Sequence, residues 1–218
     1  MRTATNIALY GYWNSVRAGR IAPRRFEIEP ARIADVLSDT FILEFQDPSS
    51  FVYRLAGTRI CETAGREMRG TSFLEGWRET DKFVLQRHLT SVRKLGAVAR
   101  FLIDGVSEQN RMARFEVLIL PLLHNGESID RFLGGVVAIN PQPWLSATPV
   151  ESFRIVETEL TYPAEGCDVP EPVLRAAPSG LSQPTVFPGL RTARIVRHDR
   201  RQFRVYEGGR SQQTDENS

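Results

Sequence analysis

The stretch from Arg111 to Asn140 constrains the fold more than any other. In RMARFEVLILPLL, Phe115, Val117 and Ile119 share one parity. Glu116, Leu118, Leu120 and Leu122 share the other. A period of two marks a strand with two distinct faces. Asn125-Gly126 lies in the polar gap that follows and supplies residues that accept positive φ. The second segment, RFLGGVVAIN, is β-branched at Val136, Val137 and Ile139. Together they predict an antiparallel hairpin. Both faces are mostly apolar, which places the pair near the middle of a sheet. No catalytic constellation stands near it, so sensing or interaction is expected rather than chemistry.

At 218 residues the chain holds one ordinary domain with extensions. A net charge of +2 gives no global field toward nucleic acid or membrane. Lys82 and Lys94 are the only lysines among 28 basic residues, a bias that a GC-rich coding sequence explains. Cys61 and Cys167 are far apart and belong to no CxxC or Cys/His cluster, which argues against a zinc site or a disulfide framework. The apolar run in MRTATNIALYGYW is too short for a signal sequence, and no stretch approaches the length of a membrane span. A soluble, cytoplasmic protein is expected.

In chain order, Leu9, Trp13 and Val16 predict an amphipathic helix within residues 6–20, ended by Gly19. A second helix starts at Pro30. An aromatic helix outside the main fold is a candidate dimer contact through Trp13; packing against its own sheet is the competing expectation. TFILEFQ (40–46) and FVYRLA (51–56) read as a strand pair across an Asp-Pro-Ser-Ser turn. A short helix opens at Gly57-Thr58, and a single turn is expected at Ser72–Glu75. A long helix spans Thr80 to Leu95, with acidic residues at its start, Arg93 and Lys94 at its end and Gly96 beyond. Residues 97–106 form a third strand. The fold class is therefore α+β: a five-stranded antiparallel sheet with helices on one face.

Nine of the 13 prolines lie between Pro141 and Pro188, marking a linker with one short strand at 154–160. The boundaries fall at an N-terminal helical extension (1–38), a sheet domain (39–140) and a Pro-rich, Arg-rich tail (141–218). In the tail, Arg191, Arg194, Arg197, Arg200, Arg201 and Arg204 are opposed only by Asp199. They are candidates for an anionic partner, with nucleic acid the weaker reading and a solvated tail the stronger.

Several local runs resemble the PAS domain, and in particular small alphaproteobacterial single-domain PAS regulators. These are WNSVRAGRIAPRR followed by EPARIADVL, YRLAGTRICETAGREMRG, and LPLL followed by DRFLGGV. The resemblance implies a PAS-like five-stranded sheet and a sensor or protein-interaction module in bacterial signalling. It also implies homodimerisation or contact with a histidine kinase. Fold alone does not fix a ligand.

A PAS-type pocket would lie between sheet and helices, with Phe115, Val117 and Ile119 facing it. Leu55, Ile60, Leu85, Phe101 and Val136 are its expected companions; an ordinary filled core is the competing expectation. His88 sits at the edge of the long helix's apolar stripe. Haem-binding PAS sensors of similar layout place their iron-ligating histidine on that helix, which makes haem an alternative to a small apolar ligand. Blue-light PAS sensors carry an Asn-Cys-Arg-Phe-Leu-Gln motif. The nearest text here, Thr71–Glu75, has no cysteine, and Cys61 comes a dozen residues too early, so a buried structural thiol is expected. No GxSxG, HExxH or P-loop is present. Asp104 and Glu108 read as turn residues rather than an acid/base pair. No enzymatic role is expected.

Overall fold

The structure is a computed structural model that describes residues 1–124 and 128–163. The order is α1 (Ala4–Arg17), a 3-10 segment (Pro30–Asp39), β1 (Thr40–Asp47), β2 (Ser50–Ala56), α2 (Thr58–Ala64) and α3 (Glu79–Leu95). Then come β3 (Val98–Ser107), β4 (Met112–Leu123), β5 (Ile129–Ile139), a 3-10 turn (Pro143–Ser146) and β6 (Val150–Thr161). The strands form one antiparallel sheet in the order β2-β1-β5-β4-β3-β6.

The sheet has six strands rather than the expected five. The short strand expected at 154–160 is twelve residues long and pairs with β3 along its whole length. Its apolar signal is weak because it is an edge strand, with one side open to solvent. Its Ile155 N–H is taken by the Asp81 carboxylate of α3 at 3.1 Å, which ties the edge to the first turn of that helix.

β4 lies between β3 and β5, and its alternation sorts the two faces. Register pairs Val117 with Phe101 and Val136, and Phe115 with Ile103 and Ala138. These side chains share the face covered by α2 and α3. Glu116, Leu118 and Leu120 point to the opposite face, which α1 covers. The expectation of helices on one face is therefore corrected: α1 packs on the back. Glycines in β5 permit close approach on both sides, because successive residues point to opposite faces. A Cβ on Gly134 would lie 2.1 Å from the Phe41 ring, and one on Gly135 would lie 2.4 Å from Asn6 of α1.

α1 ends at Arg17 with Ala18 as its left-handed cap (φ 48°), not at Gly19. Leu9, Tyr12 and Trp13 are buried. Trp13 Nε1–H donates to the Pro121 carbonyl at 2.8 Å. Proline is tolerated in this central strand because Pro121 lies beyond Ile119, the last β4 residue paired with β3. Trp13 is thus a core residue, and the candidate dimer contact through it is corrected. The reason is that the Trp13–Pro121 bond and the Leu9/Trp13 stripe both point inward.

The second helix is a kinked 3-10 segment rather than an α-helix, with Ile33 off helical geometry (φ −121°). α3 ends as its caps predict: Gly96 is left-handed (φ 63°) and its N–H bonds to Val92 O. Asp104 is not a turn residue. It is buried mid-strand in β3 and ion-paired across both neighbouring strands, to Arg114 of β4 at 2.8 Å and Arg154 of β6 at 2.8 Å. The Asn125-Gly126 turn lies outside the described residues.

Candidate functional site

On the front face a cavity of about 430 Å³ opens between the sheet, α2, the 66–77 segment and the Pro143–Ser146 turn. This volume falls in the range of small-molecule sites, about 300–1,000 Å³. Its floor is Ile103, Phe115, Val117, Val136 and Ala138. α2 contributes Ile60, Thr63 and Ala64, and the far wall is aromatic. Ring contacts run from Tyr53 to Phe73 (5.8 Å), Phe73 to Trp77 (6.0 Å) and Trp77 to Phe153 (5.3 Å). Trp77 is held in place by its indole N–H, which donates to Phe73 O at 2.8 Å.

Tyr53 adds a polar end to this wall. It lines the cavity and is only 6% exposed, and its hydroxyl has no hydrogen-bond partner among the described residues. Burial pushes its phenol well above the usual tyrosine range, and the nearby Arg66 only partly offsets this. A tyrosine O–H at a cavity wall can pair with water or with a polar atom of a bound molecule.

The mouth is charged. Asp39, almost fully buried, pairs with Arg59 at 2.5 Å, and Glu75 pairs with Arg66 at 2.9 Å. Glu62 lines the same mouth, exposed and without an ionic partner among the described residues.

The structure brings Ile60, Phe115, Val117 and Val136 to this cavity. Ile119, Leu85 and Phe101 are fully buried on the same side but do not line it; they are the core under α3. Leu55 belongs to neither group and is 42% exposed. A bulge at Arg54 is the cause: Tyr53 pairs with Leu43 but Leu55 pairs with Ile42, so Leu55 turns to the other face. Tyr53, Phe73, Trp77 and Phe153 were not expected here. Three of them sit in an edge strand or a loop without periodicity, and Phe153 lies one residue before the strand signal. The six candidate arginines from Arg191 to Arg204 lie outside the described residues.

The model of the PAS domain family matches residues 1–137. The chain belongs to the PAS domain family. Three solved structures are similar in part to this PAS protein. One, of RsLOV, shares 14% identity over 50% of this chain and 66% of its own length, with a TM-score of 0.39. The Rhodobacter sphaeroides LOV protein shares 11% over 53% of this chain and 71% of its own, with a TM-score of 0.40. The PAS domain of an HTR-like protein from Haloarcula marismortui shares 20% over 50% of this chain and 96% of its own, with a TM-score of 0.35. No curated protein matches the chain. Likenesses this distant carry no weight for function.

The PAS cavity does not fit a histidine-ligated haem. His88 is buried but does not line it. Its ring packs at a tilt against Phe101, with centroids 5.3 Å apart, and Nδ1–H donates to Val84 O at 2.7 Å. Nor does the cavity fit a cysteinyl adduct. Cys61 is half-buried on α2, 3.7 Å from Glu67 Oε1, and does not line the wall.

The back face carries an ion network that holds α1 in place. Glu116 is fully buried and accepts hydrogen bonds from the backbone N–H of Arg2 (2.6 Å) and Thr3 (2.9 Å). It also accepts from the Thr3 hydroxyl (2.6 Å) and the Asn6 amide (3.2 Å). Burial raises its carboxyl pKa, but these hydrogen bonds, led by those from Thr3, outweigh it and hold the group below the usual range. Arg100 links Glu157 and Glu159 of β6, both at 2.6 Å.

Proposed function

We propose that this chain is a non-enzymatic PAS sensor that reads occupancy of the front cavity by a small, mostly apolar molecule. The observation that carries the reading is the aromatic-walled cavity of about 430 Å³ with Tyr53 in its wall. Family membership supports a signalling role. Residues 39–140 are the sensing core in this reading, 1–38 brace the back of the sheet, and 141–218 carry β6 and the arginine-rich end. Among the described residues no helix is long and apolar enough to cross a membrane, which is compatible with a cytoplasmic location.

The output in this reading is a contact with another protein, either a second copy of the chain or a histidine kinase of a bacterial signalling pathway. The family resemblance supports it, along with the lack of GxSxG, HExxH or P-loop motifs. Native mass spectrometry of the purified full chain tests both parts. A discrete bound mass lost on Phe115→Trp, and a dimer peak that shifts with occupancy, are expected. A chain that is empty, monomeric and unresponsive to any apolar compound contradicts the reading.

A further inference from the structure

The charges around the cavity mouth say more about the molecule than its volume does. Four charged side chains line the cavity: Asp39, Glu62, Glu75 and Arg59. Arg59 is the one cation among them, and its NH1 is already taken by Asp39 Oδ2 at 2.5 Å. Asp39 is 3% exposed, and its buried carboxylate holds one edge of a guanidinium whose side chain is otherwise largely exposed. Glu75 is offset by Arg66 at 2.9 Å. Once both pairs cancel, Glu62 remains as the uncompensated charge, and it is negative.

Resting on the sensor reading above, we infer that the cavity takes a ligand with an apolar ring-bearing body and a neutral or cationic polar end, and discriminates against carboxylates. The body lies against the Phe73–Trp77–Phe153 wall, whose ring faces favour an aromatic or cationic neighbour. A hydroxyl or amine pairs with the Tyr53 hydroxyl. At the mouth, a carboxylate meets Glu62 and a lining that sets three carboxylates against the one guanidinium of Arg59, whereas an ammonium meets a counter-charge. Because Glu62 is exposed, solvent screening limits the separation of the two classes to roughly a few-fold in affinity at low salt.

Isothermal titration calorimetry on the full chain with three matched probes tests this: 2-(2-naphthyl)ethanol, 2-(2-naphthyl)ethylamine and 2-naphthylacetate. The alcohol and the amine are expected to bind, with the acetate roughly a few-fold weaker than the amine at low salt. Glu62→Gln, a surface change that leaves the fold intact, is expected to narrow the gap between amine and acetate. Tyr53→Phe is expected to weaken the alcohol roughly fivefold, the loss of one hydrogen bond. Acetate binding as tight as the alcohol, abolished by Phe115→Trp, overturns the charge preference and leaves the sensor reading standing. An amine-to-acetate ratio unmoved by Glu62→Gln also overturns the inference. If no probe binds and native mass spectrometry finds no carried molecule, the sensor reading itself falls.

Discussion

Glu116 on β4 accepts two hydrogen bonds from Thr3, one from its backbone N–H at 2.9 Å and one from its hydroxyl at 2.6 Å. The first turn of a helix leaves N–H groups without intrahelical partners. Thr3 is the N-cap of α1 but makes no capping bond within its own helix. A buried carboxylate from a strand more than a hundred residues away instead takes the N–H groups of Arg2 and Thr3, just before and at the cap. The negative group also sits at the positive end of the helix dipole.

Removing that carboxylate should loosen α1. Glu116→Ala leaves several buried donors unpaired and should destabilise the fold by on the order of 3 kcal/mol. Glu116→Gln, which keeps the shape but not the charge, should cost less. Urea unfolding measures both. Hydrogen exchange should show faster exchange in α1 than in β4 and β5.

Acid should act through the same group and through Asp104. The Arg114 guanidinium beside Asp104, with Arg154 on its other side, holds its carboxyl below the usual range despite its burial. Both carboxyls are therefore depressed in the folded state. Their contribution is fully present above the unfolded carboxylate pKa, about 4, and is lost as pH falls through the lower folded values. Melting temperature should hold between pH 7 and 5 and drop steeply below about 4. The Glu116→Gln, Asp104→Asn double variant should start lower and fall less steeply.

Trp13 separates core from interface. Trp13→Ala should cost about 3–5 kcal/mol. Trp13→Phe, which mainly loses the bond to Pro121 O, should cost roughly 1–2 kcal/mol. Urea denaturation gives the stability, and sedimentation velocity gives the oligomeric state. A loss of self-association with unchanged stability would restore Trp13 as a partner contact.

Much of the sheet was legible because β4 alternates and β5 is apolar and β-branched, and the parity of Phe115 and Val117 carries directly into the cavity floor. Other parts had no such signal. β6 is an edge strand whose residues need not be apolar on both faces. Leu55 follows the apparent alternation of β2, but the bulge at Arg54 reverses its face, and nothing in FVYRLA marks that bulge. The aromatic wall at Phe73 and Trp77 lies in irregular chain, where no period relates sequence to direction. His88 looked poised for a metal because it borders an apolar stripe. That same position lets it pack on Phe101 and bond to Val84 O, as a core histidine does.

Cavity volume should govern ligand binding without governing the fold. Ala138→Leu adds bulk to the cavity floor, where space is open, so stability should change by less than about 1.5 kcal/mol. Affinity for 2-(2-naphthyl)ethanol should fall at least tenfold. Thermal unfolding and calorimetry of the same sample read both effects.

The central claim is that the Tyr53-lined cavity is a ligand site, and the most direct measurement is a structure of the full chain soaked with 2-(2-naphthyl)ethanol. The account predicts density against Phe73, Trp77 and Phe115, with the probe oxygen within hydrogen-bond distance of the Tyr53 hydroxyl. A cavity collapsed onto its own side chains, or a probe found elsewhere with Tyr53 bonded to protein, would contradict it.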